Sequence, residues 1–226
     1  MTKRILIVLI LFLTFLGNAQ TNNEINIDDL VINYIKELQS RKIDTICVYE
    51  DYCIGCELTY ESSKLYDEET CKDELKQQPA YIFWKEKGKT YLTKINTCFE
   101  YPGIIISKDN FWEIYFSKIT TIKKEVVKSF SYETFENNKK SISILRATHS
   151  SYQVFKMINK GKSTIKVFDH FKLRQTCDIF PDKLLYNISY QHNINLKSKL
   201  IIDLLEKITS EAEKNNNFKK VKSRKI

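Results

Sequence analysis

Two stretches constrain the fold before anything else. Residues 81–95 read YIFWKEKGKTYLTKI, and residues 152–168 read YQVFKMINKGKSTIKVF. Each joins two runs of aromatic and β-branched residues through Lys-Gly-Lys, with Gly88 and Gly161 at the break. Such side chains suit a pleated, half-buried surface. A glycine able to take positive φ between them closes a short hairpin whose twist matches its strands. Two hairpins of this kind commit the chain to a largely antiparallel sheet.

Helical periodicity flanks and separates the hairpins. Ile27, Leu30, Val31, Tyr34 and Leu38 recur at helical spacing from near Asn26, with Asp28 and Asp29 suited to the first turn. Between the hairpins, DNFWEIYFSKITTIKKEVVKSF places Trp112, Tyr115, Phe116, Ile119, Ile122 and Val126 on one stripe. Asn110 and Glu113 have the spacing of a capping box. A last helix over Ser198 to Ala212 carries Ile201, Leu204, Leu205 and Ile208 on one face. IDTICVY, SISILRA and KLLYNISY read as further strands, and residues 50–78 as an acidic loop excursion with one short helix. The expected class is α+β: a mainly antiparallel sheet built from hairpins, packed with N-terminal, central and C-terminal helices and stabilised by disulfides. No glycine-rich phosphate loop and no alternating βαβ rhythm appears, which argues against a nucleotide-binding sheet.

The N-terminus reads as an address. Lys3 and Arg4 precede a twelve-residue apolar run, Ile5 to Leu16, and then Gly17, Asn18 and Ala19 before Gln20. This is the anatomy of a cleaved secretory signal, and the run is too short to span a bilayer comfortably. We therefore expect a signal peptide over 1–19, a single domain over 20–213 and a basic, disordered tail over 214–226. The mature chain would be exported, to the periplasm or cell surface, without a transmembrane segment.

The formal charge of +8 does not make a nucleic-acid binder. Without the leader's two cations and the tail's six, 28 basic residues balance 28 acidic ones. No nucleic-acid recognition motif is present. The expected partners are another envelope protein, or an anionic envelope surface touched by the basic tail.

All six cysteines, Cys47, Cys53, Cys56, Cys71, Cys98 and Cys177, follow the leader. An even number in an oxidising compartment predicts a disulfide framework of up to three bridges. Cys71 or Cys53 bonded to Cys98 would pin the acidic excursion to the first hairpin. A bridge from Cys177 to Cys47 or its neighbours would close a long loop, where cross-linking constrains the unfolded chain most.

Cys53 and Cys56 also form a CxxC pair. TICVYEDYCIGC resembles the strand and aromatic-CxxC entry of the thioredoxin family, with Tyr52 where that family has tryptophan. Tyr101-Pro102-Gly103 is similar to its proline-initiated strand. The resemblance implies thiol–disulfide exchange at Cys53 and Cys56 as an alternative function. Against it, a hairpin stands where that family has a crossover, and Glu50, Asp51 and Glu57 would raise a thiol pKa rather than lower it.

A C-x2-C pair is half a zinc site, but no second half follows. Glu57 occupies the place of the histidine a c-type haem needs. His149, His170 and His192 belong to no catalytic motif, and Ser150 and Ser151 beside His149 point to opposite sides of a strand. No cofactor and no metal are expected. The sequence points to an exported, non-catalytic binding or structural interaction domain.

Overall fold

The computed structural model describes residues 26–55, 78–180 and 183–224. The expected signal peptide, Cys56 and Cys71 lie outside them. The chain opens on helix α1 (Ile27–Ser40), whose N-cap Asn26 accepts a 3.0 Å hydrogen bond from the Asp28 amide. Strand β1 (Thr45–Ile54) follows. The first hairpin is β2 (Ala80–Glu86) and β3 (Lys89–Ile95), with short strands β4 (Phe99–Glu100) and β5 (Ile104–Ile106) after it. Helix α2 (Phe111–Lys124) leads to a hairpin of β6 (Phe130–Glu136) and β7 (Lys139–Leu145). The next hairpin is β8 (Ser150–Asn159) and β9 (Lys162–Asp169), closed by a 3-10 turn (His170–Leu173). Strands β10 (Thr176–Phe180) and β11 (Lys183–Tyr186), helix α3 (Tyr190–Ile194), helix α4 (Lys197–Lys214) and strand β12 (Lys222–Ser223) complete the chain. The fold is a mixture of helix and antiparallel sheet, as the hairpins predict.

One sheet runs in the order β12-β4-β3-β2-β1-β8-β9, with β5 paired to β3. Strand β1 lies in its interior, registered against β2 through Val48–Ile82 and against β8 through Val48–Lys156. Side chains alternate along a strand, so β1 serves two cores. Ile46 and Val48 face α1 with Ile82, Trp84, Val31, Ile35 and Leu38. Cys47 and Tyr49 face α2 and α4 with Phe83, Phe155, Phe168, Tyr115, Ile201 and Leu205. A smaller core gathers Phe130, Phe171 and Leu185 between the β6–β7 and β10–β11 hairpins.

Both Lys-Gly turns form as expected. Lys87 and Gly88 take φ of 49° and 75°, and Lys160 and Gly161 take 49° and 74°. Positive φ at both central positions is what the strand twist demands. Asn137 and Asn138 meet the same demand without glycine, at 49° and 60°, and close the unpredicted β6–β7 hairpin.

Four expectations need correction. First, α2 stops at Lys124 rather than running to Phe130: Glu125 is extended, with φ −63° and ψ 138°, and Val126 is exposed. Lys118 leaves helical geometry as well, and Phe111, Trp112, Tyr115 and Ile122 are buried while Phe116 is exposed. Second, Asn110 makes no capping hydrogen bond through its side chain. Third, β1 continues through Ile54, so Tyr52 and Cys53 belong to the sheet rather than to a loop. Fourth, the basic tail is docked as far as Arg224. The Arg224 amide donates to Cys98 O at 2.7 Å, and Lys222–Ser223 pair with Phe99–Glu100. Phe218 packs against Tyr81 and Tyr101 and anchors it. Among the described residues, no helix is long and apolar enough to cross a membrane.

Candidate functional site

The cysteines divide by position. Cys47 is a buried free thiol in the main core, and burial pushes its pKa well up, so it is chemically inert. Cys177 is a free thiol on the smaller core. The long-loop bridge between Cys47 and Cys177 is therefore not formed: the two sulfurs serve different cores. No disulfide between two described cysteines is seen, yet neither Cys53 nor Cys98 is a free thiol.

Cys53 is a strand residue opposite Ser151, with its Sγ 3.4 Å from Ser150 O. A thioredoxin-like nucleophile sits at a helix N-terminus, where the helix dipole favours thiolate. Cys53 instead lies within strand β1. Gly55, at φ 73°, lies under the His149 ring, with which a Cβ at that position would collide. His170 begins the 3-10 turn, and the His192 ring lies 3.1 Å from Val126 O through Nε2.

Beyond Tyr49, β1 carries Asp51 into a cleft of about 360 Å³ shared with Tyr81, Glu206 and Glu213. Burial, with Glu206 adding, raises the Asp51 pKa against the opposing effects of His170 and Gln153. Burial also raises the phenols of Tyr49 and Tyr81. The groups here largely satisfy one another. Gln153 donates to the Tyr49 hydroxyl at 3.1 Å, Tyr81 donates to Glu213 at 2.8 Å, and Lys94 pairs with Glu213 at 3.0 Å.

A larger cleft, about 610 Å³, opens between the first turn of α2 and the outer face of α4. Its apolar wall is Trp112, Leu204 and Ile208. Its polar groups are Ser107, Asn110 and six charged side chains, Lys85, Lys108, Asp109, Glu113, Lys207 and Glu211. Several of these are committed. Asp109 accepts from the Thr90 hydroxyl and pairs with Lys85 at 3.8 Å, and Lys108 pairs with Glu211 at 3.8 Å. Lys207 and Glu113 make no ion pair among the described residues.

Trp112 is 2% exposed, and its buried indole N–H has no hydrogen-bond partner among the described residues. A buried donor left unmade costs on the order of 1–3 kcal/mol. Helix α2 begins here without a side-chain cap, and the Trp112 amide of its first turn donates instead to Asp109 O at 3.1 Å. Sequence reading missed this cleft: Trp112 looked like one member of a core stripe, and the pairing of α2 with α4 is a tertiary event. Among the described residues, no group of three metal-ligating side chains forms. No family model, curated protein or solved structure matches the chain.

Proposed function

We propose that the protein is an exported, non-catalytic binding domain whose ligand occupies the cleft between α2 and α4. The observation that carries this reading is the 610 Å³ cleft itself, which sets an apolar wall of Trp112, Leu204 and Ile208 among charged side chains. Export rests on the leader: its basic start, short apolar run and small residues before Gln20.

The disulfide framework belongs to the same reading. Cys53, Cys56, Cys71 and Cys98 would form two bridges. Cys53 and Cys98 suit this role, because the register Glu50–Ala80–Ile95 puts both just beyond the same end. The CxxC pair would then be structural.

The test is a thermal-shift screen of the mature, oxidised protein against amino acids, organic acids and oligosaccharides. At least one compound should raise the Tm of the native protein. The cleft-filling variant Leu204→Trp should keep the unliganded Tm and lose that shift. A screen with no shift, or a shift that Leu204→Trp leaves intact, removes the α2–α4 cleft as the binding site.

A further inference from the structure

We infer that the α2–α4 cleft takes a zwitterionic ligand, a free amino acid or short peptide with an apolar side chain, an inference that rests on the binding reading above. The argument starts from which charges remain unspent. Lys85 and Lys108 are paired with Asp109 and Glu211, which leaves one ammonium, on Lys207, and one carboxylate, on Glu113. A ligand of either single charge would satisfy one and face the other unpaired. A molecule carrying both charges complements both.

The remaining groups sort the same way. A ligand carboxylate is an acceptor, and Lys207 is the charged donor of the lining, which also includes the first turn of α2, whose dipole favours negative charge. A ligand ammonium is a donor, and Glu113 supplies the acceptor, with the side-chain carbonyl of Asn110, free of any cap bond, beside it in the lining. Leu204, Ile208 and the Trp112 ring offer apolar surface for the side chain.

The neighbouring cleft at Asp51 lacks this pattern. There Glu213 already has both a phenol and an ammonium as partners, and the phenol of Tyr49 already has Gln153.

Isothermal titration of the mature, oxidised protein with L-leucine, Leu-Leu, N-acetyl-leucine and leucinamide tests the inference. The parent amino acid or the dipeptide should bind, and blocking either terminus should weaken binding about ten-fold or more, because each block strips a charge-assisted partner. Lys207→Met should abolish the preference over leucinamide, and Glu113→Gln the preference over N-acetyl-leucine. Both residues are exposed, so these variants should fold.

Blocked forms that bind as well as the parent would overturn the zwitterion assignment. A ligand of another class that is found in the thermal-shift screen and lost in Leu204→Trp would overturn it too, while sustaining the cleft as a binding site. If nothing in either panel binds, both readings fall.

Discussion

At the scale of single residues, two carboxylates do opposite work. Glu125 leaves α2 and reaches the start of α4, where it accepts from the Lys197 amide at 2.7 Å, the Ser198 amide at 2.9 Å and the Ser198 hydroxyl at 2.6 Å. Leu196, the formal N-cap of α4, has no side chain able to do this. Partial burial works against the charged form of Glu125, but the bonds from Ser198 and Lys197 outweigh it and its pKa is lowered. A depressed carboxyl stabilises the fold above its unfolded pKa, and that contribution fades as pH falls through the folded value. Glu125→Ala should therefore cost about 1–2 kcal/mol at neutral pH. In urea melts the deficit should shrink on acidification below the ordinary glutamate range.

Asp51 has the reverse sign. Its raised pKa means that ionising it opposes folding, so its contribution is fully present at low pH and is lost as pH rises through the folded value. Asp51→Asn should raise the Tm at neutral pH, and the gain should vanish as pH falls below the ordinary aspartate range. A gain that persists in acid would show that packing, not charge, sets the effect.

At the scale of elements, the C-terminal segment shows how one aromatic residue changes the fate of a basic stretch. Composition marks residues 214–226 as solvated chain, because charge dominates and apolar residues are few. The ring of Phe218 nevertheless packs 5.9 Å from Tyr81 and 6.2 Å from Tyr101, centroid to centroid. Lys220 stacks over Phe99 at 4.0 Å, and Arg224 reaches Glu100 at 3.4 Å. Together they hold β12 on the sheet edge and leave fewer cations free for an anionic surface. Phe218→Ala should cost about 1–3 kcal/mol. Limited proteolysis should then cut within residues 219–224 before the body unfolds. Equal resistance in both proteins would mean that the backbone pairing alone holds the strand.

At the scale of the whole molecule, thiol accounting distinguishes the bridging schemes. The protein unfolded without reductant should expose two alkylatable cysteines, Cys47 and Cys177. In the folded state only Cys177 should react, since Cys47 is fully buried and its thiolate disfavoured. Six unreactive cysteines after unfolding would restore a third bridge. Four or more reactive ones would remove the proposed two-bridge framework.

The sequence by itself determined what depends on near neighbours. The turns at Gly88 and Gly161, the Asn26 cap of α1 and the alternating runs of β2, β3, β8 and β9 are all written in a few consecutive residues. From these the antiparallel sheet with helices at its beginning, middle and end was legible. Tertiary structure decided what depends on residues far apart in the chain. Helix α2 ends early because Glu125 is taken by α4 and its carbonyl by Lys166 at 2.6 Å, partners 72 and 41 residues away. Cys53 became a strand residue because β8 continues the ladder to Ser150. The candidate binding cleft exists only where the first turn of α2 meets α4. Each of its residues, read locally, is an ordinary core aromatic or surface charge; distance in sequence conceals what proximity in space makes of them.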